Sequence, residues 1–246
     1  MMFFNIPFFL QAIIDILPGI PITLFVLLFS LAVALPLGFL LAVARNKKIR
    51  FFSRAAAVYV SFIRGTPMIV QIYIIYNSIP GILAAFFKQA GISVNVFDIN
   101  PLLYALIVFS LNTIAILCEI FRSALYTVGA GQMEAAVTNG LSEAQAYRRI
   151  IIPQMMIAAS ANLCTASIEL LKNTSLVFYM TVMDVMGIIK TSAALGYHYF
   201  EGYTLAFLVY LLLCYLVQWI FRAVEKRMKR KSGLSSDLPD REKSYA

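Results

Sequence analysis

The sequence predicts an all-α polytopic membrane protein. Of its 246 residues 61% are hydrophobic and 13% charged, whereas soluble domains run nearer ~45–50% and ~25%. A core of this size has no room for so much apolar surface, but a bilayer solvates it. Windows of about 20 residues mark five candidate spans, near 20–44, 55–78, 101–124, 153–177 and 203–223. Each is long enough, at ~1.5 Å per residue, to cross a ~30 Å hydrocarbon layer with some tilt. The third observation is where the net charge of +8 falls. Arg45, Lys47, Lys48, Arg50 and Arg54 follow the first span. Arg148 and Arg149 precede the fourth, and Arg222, Lys226, Arg227, Lys229, Arg230 and Lys231 follow the fifth, while the 79–100 connection holds only Lys88. Such an excess marks cytoplasmic loops, not nucleic-acid binding, and puts the N-terminus outside and the C-terminus inside.

No Lys or Arg precedes Arg45, so the basic n-region of a cleaved signal peptide is missing. Residues 6–16 are apolar but too short to span, and are expected to lie along the outer interface. Residues 1–225 read as one transmembrane domain, followed by a basic and then polar tail over 226–246, disordered from about Ser232. Cys118, Cys164 and Cys214 fall in spans and read as small hydrophobes, with no metal site expected. Lone His198 reads as a polar outer-loop residue among Tyr197, Tyr199 and Tyr203, an interfacial aromatic belt. No internal repeat is evident.

The long polar loop over about 125–152 is the most informative segment. Gly140, Leu141 and Ser142 interrupt an Ala- and Glu-rich stretch. Ser142 fits an N-cap with Glu143 in the first turn, and Pro153 suits the start of the next span. The prediction is a helix, a glycine turn and a second helix. Ala135 and Ala136 leave one face small, suited to a soluble partner; the plainer alternative is an amphipathic connector resting on the membrane.

This loop resembles the EAA loop of binding-protein-dependent ABC importer permeases. The resemblance rests on Gly131, Gln132, Glu134, Ala135, Ala136, Gly140, Leu141, Ser142, Arg148, Ile150, Pro153 and Gln154. Further stretches look like the polar amino-acid branch: Arg64, Gly65, Thr66, Pro67 and Gln71 within YVSFIRGTPMIVQ, which is closest to cystine-type permeases; Asn112, Glu119 and Arg122 in the third span; and Lys172, Thr174, Ser175 and Leu176 in the fourth. Most of residues 20–225 is covered, with departures at Met155, Ile157, Ala161 and Thr165. The resemblance implies an amino-acid permease of a bacterial cell membrane, working as a dimer with itself or a paralogue, two ATPase subunits and an extracytoplasmic amino-acid-binding protein. Gly131, Glu134, Ala135, Ala136, Gly140 and Leu141 would couple it to the ATPase. The chain has no G-x(4)-G-K-[ST] phosphate loop, so ATP and Mg²⁺ belong to that partner and the chain itself is not an enzyme.

Within the spans, Glu169 is the first candidate for substrate contact, because an intramembrane carboxylate is costly and suits an ammonium or a second cation. Thr165 shares its face one turn away. The alternative is an internal pair with Lys172 at i+3. Asn112 and Ser110 are candidates for lining the path, or for helix–helix glue. Arg64, Gly65, Thr66 and Pro67 read as a gate or bend, with Gln71 and Lys172 grouped beside them; a simple interfacial kink is the alternative. Glu119 and Arg122 read as a structural ion pair. Cystine and the cationic amino acids remain equally open as substrates. A secondary transporter or channel would leave the polar loop unexplained, and an intramembrane enzyme lacks a nucleophile or metal cluster.

Overall fold

The computed structural model describes residues 4–92 and 95–231. Among the described residues ten α-helices follow one another: α1 (Ile6–Asp15), α2 (Gly19–Asn46), α3 (Arg50–Arg64), α4 (Met68–Gln89), α5 (Pro101–Val128), α6 (Ala130–Thr138), α7 (Glu143–Ala146), α8 (Ile152–Asn173), α9 (Val185–Gly196) and α10 (Tyr199–Lys231). No strand occurs among the described residues. Among the described residues five helical stretches are long and apolar enough to cross a membrane: Gly19–Asn46, Met68–Gln89, Pro101–Val128, Glu143–Met180 and Tyr199–Arg230.

α5 is the central post, and most of its residues are buried. It packs most extensively against α2, then against α8. Small residues allow this. Ala34, Gly38 and Ala42 repeat every fourth position of α2 and are all buried. A Cβ on Gly38 would stand 3.0 Å from Leu117 Cβ and 3.2 Å from the Cys118 nitrogen. Without a hydrophobic drive between helices in lipid, such close approach is how spans gain packing energy.

The segment expected as one span over 55–78 is two helices. α3 ends at Arg64, Gly65 is its C-cap, and Pro67 is the N-cap of α4. Pro67 fixes φ and disfavours helix at Thr66, so the chain breaks there. The break lies level with Asn112 of α5, eleven residues in from Pro101, or about 17 Å along the helix. That is near the middle of the hydrocarbon layer. α4 then runs on to Gln89 through Pro80.

The region 178–202 is also more ordered than an outer loop. After α8 a 3-10 turn covers Thr174–Met180, followed by α9. Asp184 caps α9, its Oδ1 accepting from the Gly187 N–H at 2.8 Å. Its Oδ2 accepts from the Tyr210 hydroxyl of α10 at 3.0 Å and from Thr23 of α2 at 3.5 Å. Asp184 and Thr23 are both fully buried.

His198 is likewise not a bare loop residue. Its ring lies 4.5 Å from that of Phe8, and Nε2 is 3.4 Å from Asn5 Nδ2. The Asn5 N–H donates to Glu201 at 2.7 Å. These contacts pin α1 against the start of α10, at the end of the bundle opposite the Lys- and Arg-rich face. α10 continues as helix through the basic residues to Lys231. The polar tail expected beyond Ser232 lies outside the described residues.

Replacing Asp184 by Ala removes an N-cap, worth about 0.5–2 kcal/mol, and leaves the Tyr210 hydroxyl buried without its acceptor, at about 1–3 kcal/mol. Asp184→Ala is expected to lower the detergent unfolding temperature clearly more than Asp184→Asn, which keeps an acceptor oxygen.

Candidate functional site

The polar loop folds as helix, turn and helix. α6 ends at Thr138, and Gly140 has φ +83°, a left-handed geometry that favours glycine. Its N–H donates to Val137 O at 2.9 Å, and Leu141 N–H to Ala136 O at 3.1 Å. Ser142 and Gln145 form a reciprocal capping box at 2.9 and 3.3 Å, which starts α7. A π-helical turn over Tyr147–Ile151 then runs directly into α8. The second half of the loop and the fourth span, Glu143–Met180, are thus one continuous helical lever.

Its outward face differs from the sequence expectation at one position. Gly131, Glu134 and Ala135 are exposed, and Val137 is 47% exposed, but Ala136 is 3% exposed. α6 lies against the Tyr147–Ile151 turn, so Ala136 packs inward and Leu141 is half-buried. Nothing lies within 4 Å of a Cβ built on Gly131. The outward surface is therefore smooth, small and unfilled around the Glu134 carboxylate, which has no partner among the described residues.

At the membrane end of that lever, α8 buries Met155, Ala159, Leu163, Ala166 and Leu170. Ala161, Asn162, Thr165, Glu169 and Lys172 are exposed. Thr165 and Glu169 share this face, with Glu169 seventeen residues beyond Ile152, about 25 Å along the helix. The ion pairs among the described residues are Arg45–Glu119, Lys47–Glu143, Arg122–Glu119 and Lys229–Glu225. Glu169 and Lys172 form no pair. An unpaired carboxylate on a polar stripe at membrane depth cannot rest against lipid tails without large cost.

The other expected path residues have different surroundings. Ser110 is 6% exposed, turned into the packed interior with its hydroxyl unpartnered. Asn112 is half-buried and donates to Gln71 Oε1 at 3.1 Å. Gln71 is 8% exposed. Its Nε2 reaches Ile63 O at 2.8 Å, Thr66 Oγ1 at 2.8 Å and Thr66 O at 3.1 Å. Gln71 and Asn112 together hold the break between α3 and α4. Arg64, just before the break, is exposed.

Charge gathers again where the basic ends of the helices meet. Glu119 of α5 accepts from Arg45 of α2 and from Arg122 Nε and Nη2 at 2.9 and 2.7 Å. The expected Glu119–Arg122 pair is present, and Arg45 makes it a triad. Beside it, Lys47 Nζ lies 2.5 Å from Glu143 Oε2 and 5.4 Å from the Tyr147 ring centre. The hydrogen bond to Glu143 raises the Lys47 ammonium above its ordinary range. The end of α2 is thereby tied to the polar loop.

Residues 34–230 match the family described as the inner membrane component of binding-protein-dependent transport systems. The chain belongs to that family. It is similar to the L-cystine transport system permease TcyL of Bacillus subtilis, at 36% identity over 86% of each chain. It is also 30% identical to the arginine transport system permease ArtQ of the same organism, over 87% of this chain and 92% of the relative. A crystal structure of an amino acid ABC transporter with histidines matches in fold, with a TM-score of 0.74 over 92% of this chain and 100% of the other at 24% identity.

Several residues that build this permease chain were not singled out in the sequence. Asp184 follows an apolar run and precedes another, an N-cap pattern that was legible. The role of Arg45 was not, because it depends on α2 and α5 ending side by side.

Gln71→Leu strands the Ile63 and Thr66 carbonyls and the Asn112 amide in a low-dielectric setting, at about 1–3 kcal/mol per group. A clear drop in unfolding temperature is expected, together with faster hydrogen exchange of the α3–α4 junction, measured by mass spectrometry.

Proposed function

We propose that this chain is the permease subunit of an ATP-driven amino-acid importer in a bacterial cytoplasmic membrane. It forms the translocation path with a second permease, itself or a paralogue, and is driven by two ATPase subunits that bind ATP and Mg²⁺. An extracytoplasmic binding protein delivers the substrate. The observation that carries the reading is the α6–Gly140–α7 loop, which presents a smooth unfilled surface at one end of a helical lever whose other end bears Glu169. Motion of the loop under an ATPase moves α8 as a body, and alternating access follows from exchanging two packings of the spans.

The Lys- and Arg-rich face, with the loop, is the cytoplasmic one, and the N-terminus lies outside. The substrate is cystine or a cationic amino acid. Relatives named for cystine and arginine transport support both, and a free carboxylate at Glu169 suits the ammonium that both carry.

Two experiments test this in the reconstituted complex. Gly140→Asp strains the left-handed turn and Glu134→Lys reverses the charge on the outer face. Each is expected to cut ATP-dependent uptake by roughly tenfold or more while leaving ATP hydrolysis uncoupled or releasing the ATPase. Normal coupled uptake in both variants would overturn the reading. Glu169→Gln is expected to raise the KM for uptake with assembly, judged by size-exclusion chromatography, unchanged. An unaltered KM would remove Glu169 from the path.

A further inference from the structure

An open cavity of about 470 Å³ lies beneath the break between α3 and α4, lined by Arg45, Val60, Ser61, Arg64 and Glu119 among others. Its size falls within the range of small-molecule sites, about 300–1,000 Å³. Val60 packs with Ala115 and Cys118 of α5, which puts the cavity in the basic half of the bundle. Its charges are not balanced. Both Glu119 oxygens are taken, one by Arg45 and the other by Arg122. Arg64 makes no hydrogen bond or ion pair with any described residue. The Ser61 hydroxyl, one turn before it, makes none either. The cavity therefore offers a free guanidinium and a free hydroxyl on one helix face, beside a carboxylate already saturated by two arginines.

We propose that Arg64, with Ser61, forms a subsite for the α-carboxylate of the transported amino acid on its way to the cytoplasmic side. A guanidinium presents paired N–H donors that match a carboxylate in two parallel hydrogen bonds. Between helices, with low-dielectric walls, such a pair is stronger than on a flat surface. The site reads the group that all amino acids share, whereas the Glu169 face reads the cation. The inference rests on the amino-acid reading above, and Arg64 takes on a ligand role in addition to marking the bend.

The test compares L-arginine, L-lysine and L-cystine, each beside its own carboxamide. Equilibrium binding to the detergent-solubilised full complex and uptake into proteoliposomes are both measured. The wild type is expected to bind the carboxylate form roughly ten- to a hundredfold tighter than the amide. Arg64→Ala should bring that ratio close to one, and Arg64→Lys should retain part of it. A ratio left unchanged in Arg64→Ala, whether both forms weaken alike or neither does, overturns the subsite and leaves Arg64 a structural residue or one that answers lipid phosphate. Amino-acid uptake with an unmoved ratio sinks this inference alone. A wild type that neither binds nor takes up any of the three sinks the amino-acid reading and the subsite with it.

Discussion

A helix broken inside a bilayer leaves backbone carbonyls that no water can reach, and Gln71 answers that demand. One amide spans the gap from Ile63 to Thr66, while its own oxygen is occupied by Asn112 of α5. Thr66 adds a hydroxyl that bonds Phe62 O at 3.0 Å. Non-helical backbone survives at membrane depth only where it is buried in protein or lines a cavity, and both conditions hold here. The α4 side of the break is locked to the central helix, and the Arg64 side opens on the polar cavity. Pro67 breaks the helix in any case; the Gln71–Asn112 link fixes the broken segment against the central helix, above the cavity.

A second polar tie serves the end of the bundle away from the Lys- and Arg-rich face in the same way. Asp184 joins α2, α9 and α10 through Thr23, its own helix N-terminus and Tyr210. The helices come close enough because residue 19 has no side chain; a Cβ there would stand 2.7 Å from the Asp184 carbonyl carbon and the Val185 nitrogen. Past the Gln71–Asn112 tie, towards the basic helix ends, α2 and α5 meet through Ala34, Gly38, Ala42 and Ala115, where nothing polar is needed. Polar side chains thus occupy the places where helices break or begin, and small apolar ones the places where helices simply pass.

This division explains what the sequence revealed and what it concealed. Apolar windows located α2, α5, α8 and α10, because each is a long helix whose composition alone separates it from its flanks. They merged the end of α3 with the start of α4, since Ala55 to Ile63 and Met68 onward are mostly apolar on both sides of a break that depends on only Gly65, Thr66 and Pro67. They passed over α9 because twelve residues are too few to span. The turn at Gly140 and the cap at Ser142 were legible since both are local. Ala136 was misjudged because its burial depends on the Tyr147–Ile151 turn folding back beneath α6, a tertiary contact with no local signature. His198 was undervalued for a similar reason: its partners, Asn5 and Phe8, are nearly two hundred residues away in the chain.

The described surface leaves one polar stripe without a partner. The exposed stripe of α8 carries Asn162, Thr165 and Glu169 at a depth where lipid would solvate none of them, yet the opposite stripe of the same helix is closely packed. A helix with one apolar face buried in its own bundle and one polar face left open is shaped for a second polar surface. The Lys- and Arg-rich end follows the same logic at lower cost. Arg45 and Lys47 lie two residues apart at the end of α2 and grip different elements, Glu119 of the central helix and Glu143 of the loop. The first pair is partly buried and holds α2 to α5. The second is exposed, with side chains 41% and 66% accessible, and such surface pairs contribute little, about 0–1 kcal/mol. A displacement of the loop would therefore break the Lys47 contact readily while leaving the Arg45 contact intact, so α7 can shift at its α2 side while the α2–α5 frame stays whole.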